Sequence, residues 1–165
     1  MRQYMKRSFF PGLISALVVI FAAGSLATNA WAQKSQANAH VEAIQQPLYS
    51  DYKGVRLGMT PEEVRARLGK PMQTDAEGDY YVISEKETVQ LGYDRTHKVY
   101  AISIDYLDVS GAPDYKAVVG PDVDVRPDGS THKIVFYDQL GFWVSYNRSA
   151  GTVPVVTVTI QKMIK

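Results

Sequence analysis

The chain has 165 residues, 18 Lys+Arg against 17 Asp+Glu, 45% hydrophobic residues and no Cys. These values describe one ordinary globular domain behind a leader, and they exclude a disulfide scaffold and any Cys-based metal or redox site. The near-zero charge balance also argues against nucleic-acid binding, which needs a basic stripe to neutralise phosphates.

The first 32 residues differ from the rest. Arg2, Lys6 and Arg7 precede an apolar stretch over residues 13–23, and Ala30-Trp31-Ala32 then offers small residues at the −3 and −1 positions of a cleavage site. This pattern predicts a cleaved signal peptide over residues 1–32. The 11-residue apolar core is short of the ~20 residues a helix needs to cross a bilayer. Cleavage would leave 133 residues with 15 Lys+Arg against 17 Asp+Glu, a net charge of −2. A chain of that size can bury a core without staples. With no Cys there is no thiol for a lipid, so the expectation is a soluble periplasmic or secreted protein with no stable membrane insertion after cleavage.

Residues 33–51 are rich in Gln, Ala, Ser and Asn and read as a flexible tether, with the folded domain spanning residues 52–165. The strongest local signal is GMTPEEVRARLGKP over residues 58–71. Thr60 caps a helix start, Pro61 suits the first helical position and Glu63 completes a Thr-x-x-Glu capping box. Met59 and Val64 flank the cap as a hydrophobic staple. Val64 and Leu68 lie one turn apart on the buried face, while Arg65 and Arg67 point elsewhere. Gly69 supplies a left-handed stop and Pro71 forbids continuation. A two-turn helix of this kind is too short to stand alone and must dock on a sheet.

Three strands follow, over residues 79–84, 88–93 and 99–106, each rich in β-branched and aromatic residues and separated by polar turns. In the third, Tyr100, Ile102, Ile104 and Tyr106 alternate against Ala101, Ser103 and Asp105. The second half echoes this order. Gly120 and Gly129 follow Gly69 and Gly78 by 51 residues, and Tyr146-Asn147-Arg148 follows Tyr93-Asp94-Arg95 by 53. Residues 133–137, 141–146 and 153–161 answer the first three strands. The second helix, over residues 113–119, is weaker, because Ser110 and Asp114 are misplaced for a clean capping box and the following Gly-Pro is as compatible with a strand or loop. The expected fold is therefore α+β: two tandem units, residues 52–108 and 109–165, each a helix plus a three-stranded antiparallel meander. The helices pack on one face of a single sheet and the other face is left free.

Residues 58–71, preceded by Tyr52-Lys53-Gly54-Val55-Arg56-Leu57, resemble the helix signature of the SmpA/OmlA family of bacterial envelope proteins, which includes the outer-membrane assembly factor BamE. The duplicated helix-then-meander unit is similar to the β-lactamase inhibitor protein BLIP. The resemblance covers chiefly residues 52–106, with a fainter echo over residues 112–160. It implies a small α+β domain that binds other proteins in the cell envelope and catalyses nothing. BamE-like members are anchored by a lipidated Cys and the inhibitor proteins carry disulfides; this chain has neither.

The residues offer little to a catalytic reading. His40, His97 and His132 lie far apart with no second ligand at helical or strand spacing, and no nucleophile elbow or phosphate-cradling loop occurs. Glu62 and Glu63 are adjacent, so on a helix they diverge and serve the dipole of the first turn. Asp122/Asp124 and Asp105/Asp108 do not extend into a calcium loop, and Asn147-Arg148-Ser149 reads as a turn. No catalytic, metal or cofactor residue is assigned. The informative surface candidates are aromatic. Trp143 alternates against Phe142, Val144 and Tyr146, so it faces outward if those three face the core. Tyr137, out of phase with Ile134 and Phe136, is expected on that same face, together with Thr157 and Thr159. An exposed Trp beside Tyr on an open sheet is the composition of a binding hot spot.

The expected function is a non-enzymatic, exported protein-binding module, a scaffold or assembly factor whose partner is another envelope or secreted protein. The alternative is an inhibitor or immunity-like binder of a secreted or periplasmic enzyme. A small-ligand carrier or enzyme would need a closed pocket with convergent polar groups.

Overall fold

The helix signature closes as its chemistry requires. In the computed structural model, which describes residues 45–163, helix α1 runs over Pro61–Leu68. The Thr60 hydroxyl accepts from the Glu63 N–H (3.3 Å) and the Glu63 carboxylate accepts from the Thr60 N–H (2.8 Å), so both arms of the capping box are made. Gly69, at φ 82°, ends the helix by donating its N–H to the Arg65 carbonyl. Val64 is fully buried and Leu68 is half-buried against the same core. The helix entry is also tied to the sheet. Gly58 N–H donates to the Val99 carbonyl and Val99 N–H to that of Met59, at 2.8 and 2.9 Å.

Seven strands follow in the chain: β1 Gln73–Thr74, β2 Gly78–Ser84, β3 Glu87–Tyr93, β4 Val99–Tyr106, β5 Thr131–Tyr137, β6 Phe142–Arg148 and β7 Val156–Lys162. They form one antiparallel sheet in the order β1-β2-β3-β4-β7-β6-β5. A second short helix, α2 (Tyr115–Val119), lies in the crossing from β4 to β5 and packs on β5 and β6. Asp114 caps it by accepting the Lys116 N–H at 2.8 Å, so the cap that the sequence reading found misplaced is in place.

This arrangement overturns the expected pair of tandem helix-plus-meander units. The molecule is mostly one seven-stranded antiparallel sheet with two helices of eight and five residues. The physical reason lies at the centre. β4 and β7 pair over six residues, with Ile102 opposite Ile160 and Ile104 opposite Val158. All four side chains are fully buried, so neither half closes a core of its own. One cluster runs from Tyr52 and Val55 through β3, β4, β7 and β6 to Val118 and Val119 of α2. The first half also carries a strand the sequence does not announce, since the two residues of β1 are polar and exposed.

Two strand faces differ from expectation as well. Tyr100 does not share a face with Ile102 and Ile104. Gly92 pairs with Ala101 but Tyr93 pairs with Val99, so Tyr100 is the extra residue of a β-bulge. Its ring lies over Gly92, where an added Cβ would come within 2.6 Å of it. Tyr137 faces the core and not the open surface. It is buried, paired with Phe142, and the two rings sit 5.2 Å apart. The signal peptide expected over residues 1–32 and most of the tether expected over residues 33–51 lie outside the described residues; Tyr49, near the end of the latter, packs against the core.

Candidate functional site

Alternation along six strands builds the sheet face opposite the core. Its side chains align in cross-strand rows: Tyr80, Gln90, Ser103, Thr159, Ser145 and Ile134 in one, and Val82, Thr88, Asp105, Thr157, Asn147 and His132 in another. A third row carries Gly92, Ala101, Gln161, Trp143 and Phe136. The face is therefore divided by chemistry. Its centre is a stripe of hydroxyl and amide groups, in which Thr157 donates to Asp105 at 2.7 Å and the Ser103 and Thr159 hydroxyls meet at 3.4 Å.

One end is apolar. Trp143 lies directly across from Phe136, and Ile134 sits one cross-strand row away opposite Ser145. Phe136 is 56% and Ile134 39% exposed, and Trp143 is half-buried between its neighbours. The other end holds a broad depression of about 570 Å³ lined by Tyr80, Gln90, Tyr100 and Ser103, with Asp75 and Glu77 among its walls.

Of the four residues read from the sequence, the structure brings Trp143, Thr157 and Thr159 to this face and sends Tyr137 to the core. Phe136 and Ile134 take the place given to Tyr137. The error arises because β5 is apolar in both phases, Ile134 and Phe136 in one and Val135 and Tyr137 in the other, so periodicity alone does not choose the face. Tyr100 and Tyr80 were missed too. A Gly one position before a predicted strand end, here Gly92, is the available sign of a bulge there.

The core side of the sheet holds the one buried carboxylate among the described residues. Asp79, in β2, has a side chain fully removed from solvent. Arg65 of α1 grips it with two hydrogen bonds, at 3.1 and 2.9 Å, Thr74 donates at 2.8 Å and Tyr93 at 2.9 Å. Tyr81 completes the shell at 3.4 Å. Burial alone would raise the Asp79 carboxyl, but the hydrogen bonds from Arg65, Thr74 and Tyr93 overcome it and hold the group below the ordinary carboxylate range. Burial, then the Asp79 charge, pushes the Tyr81 phenol up to about 12, and Tyr93 is raised by burial and by its bond to the same carboxylate. Every partner is satisfied and the group is sealed from solvent, so its role is to fasten α1 to the edge of the sheet. His97 and His132 are exposed and stand in no cluster of three ligating side chains among the described residues.

No family model and no curated protein matches the chain. Among solved structures, a DUF4309 family protein (YjgB) from Bacillus subtilis is similar at a TM-score of 0.40, with 14% identity, over 62% of this chain and 78% of that one. No helix among the described residues is long and apolar enough to cross a membrane.

Proposed function

We propose that the protein is a non-enzymatic binding module of the bacterial cell envelope, whose open sheet face docks another protein as a scaffold or assembly factor. The observation that carries this reading is the Trp143–Phe136 pair, two large aromatics facing away from the core at one end of a face whose centre is a stripe of hydroxyl and amide groups. Such a surface combines an anchor that gains by desolvation with polar groups that fix orientation, which is how interface hot spots are built. Export rests on the pattern of residues 1–32, and the envelope setting on the likeness of residues 58–71 to the SmpA/OmlA helix.

The test is quantitative. Trp143→Ala removes the central anchor and should weaken capture of the partner by about thirtyfold or more, the ~2 kcal/mol that marks a hot spot. Phe136→Ala should weaken it in the same direction, and both variants should keep a single cooperative unfolding transition well above the temperature of the assay, since only one cross-strand pair is lost. Recovery of a hydrolase as the captured protein would favour the inhibitor or immunity-like role. Undiminished capture by Trp143→Ala, or turnover of a substrate by the purified chain, would remove the proposed role of this face.

A further inference from the structure

The two edges of the sheet are not alike. β1 is two residues long, polar and preceded by Pro71, the blunting that natural sheets use to refuse further strands. β5 has none of these protections. It is seven residues long, contains no Pro and keeps an unbroken register with β6 from Thr131 to Tyr137. On its other side the described residues offer it a single bridge, from Val125 to Thr131 at its very start. From His132 onward no described strand pairs with that side. Its charged side chain, Lys133, is tied by its ammonium group to the Asp122 carbonyl at 2.6 Å. The outward side chains along it are His132, Ile134 and Phe136, all exposed.

From this asymmetry we infer that β5 pairs antiparallel with β5 of a second copy of the chain, about a two-fold axis through Ile134. The register is self-complementary. Ile134 then faces its own counterpart, His132 faces Phe136, and on the core side Lys133 faces Val135, so no two like charges are opposed. A two-fold axis normal to the sheet keeps equivalent faces on the same side. The Ile134, Phe136 and Trp143 patches of two copies would therefore meet across the axis as one continuous apolar surface. Closure follows from the other edge. With β1 blunted, the pairing uses up the only long free edge among the described strands and stops at two copies, so no filament grows. The inference stands on the edge strand and is independent of what covers the open face.

Because the chain has no Cys, a single introduced thiol is unique. Residues directly opposite in an antiparallel pair have Cα atoms about 4.5–5.5 Å apart, within the range of about 4.4–6.8 Å that a disulfide spans. The full chain carrying Ile134→Cys should therefore oxidise to a covalent dimer at least about tenfold faster than one carrying Val82→Cys, an exposed position on β2, because pairing raises the local thiol concentration. His132→Cys and Phe136→Cys should each crosslink poorly alone and well when mixed, which reads the register. In sedimentation the unmodified protein should approach twice its monomer mass as concentration rises, and Ile134→Lys, which opposes two ammonium groups at the axis, should return it to a monomer that keeps the parent's circular-dichroism spectrum and whose melting temperature, unlike the parent's, does not rise with concentration. Equal oxidation of the Ile134→Cys and Val82→Cys chains, or no gain on mixing the other two, would overturn the inference. A monomer at every concentration would do the same, including one whose β5 amides are protected by the chain's own N-terminal segment.

Discussion

Arg65→Ala should lower the stability of the protein at pH 7 by about 3 kcal/mol, the lower end of the cost of stripping a buried charge of its partner. The reasoning starts from exposure. The Asp79 side chain is fully buried, whereas Arg65 keeps 39% of its side chain in solvent. Removing the arginine therefore leaves an uncompensated charge in the interior, and the hydroxyls of Thr74, Tyr81 and Tyr93 only partly compensate it. The pH dependence should change sign with the mutation. In the parent, the Asp79 carboxyl sits below its unfolded value of about 3.9, so its contribution is complete above that pH and is lost as the pH falls through the folded value. In Arg65→Ala burial dominates and raises the folded carboxyl above the unfolded one. The penalty is then present near neutrality and relieved by protonation. Urea unfolding at pH 7 and pH 4.5 should show the deficit shrinking on acidification. Arg65→Ala combined with Asp79→Asn should be more stable at pH 7 than Arg65→Ala alone, since the neutral amide carries no stranded charge. A deficit that is constant with pH would mean that the pair is not the fastening it looks to be.

A second large effect is expected at Ile104→Ala. Ile104 is fully buried in β4, opposite Val89 of β3 and Val158 of β7. It sits in β4, the strand through which the first half of the sheet pairs with β7 of the second. Truncation there removes packing that cannot fully collapse and should cost about 2–5 kcal/mol. The form of the transition matters as much as its position. Because one core runs through both halves, the urea midpoint should fall while a single cooperative transition with an unchanged slope is kept. Near- and far-ultraviolet signals that separate, with β5, β6 and β7 surviving the loss of β2, β3 and β4, would show two independent cores.

What the sequence made legible was what local chemistry decides. The capping box of Thr60 and Glu63 and the Gly69 stop need only neighbours within one turn, and they fold as read. The phase of Trp143, away from the core, is legible because Phe142, Val144 and Tyr146 leave its strand a single consistent pattern. Where a choice depends on a distant partner, the reading fails. Arg65 is read from the sequence only as pointing away from the Val64–Leu68 face, because nothing within its helix betrays Asp79, 14 residues away; the available sign is an Asp in phase with Tyr81 on an otherwise apolar strand face. Tyr137 was placed by a strand whose two phases are equally apolar, and the tie is broken only by its pairing with Phe142 on the next strand. Tyr100 required the bulge against Gly92, and β1 required knowledge that two polar residues would find an edge. The twin-unit expectation failed for the same reason. Repeated turns and strands are local, whereas the β4–β7 pairing that merges them into one sheet joins residues 50 to 60 apart in the chain.

The central claim is that the face bearing Trp143 is the docking surface. Its most direct test places a photoreactive side chain in turn at position 143, on the open face, and at the exposed position 116, on α2 at the covered face, and irradiates cells expressing each full-length protein. Docking through the open face predicts a discrete adduct with one envelope protein from position 143 and none from position 116. An adduct formed from position 116 while position 143 stays bare would contradict it.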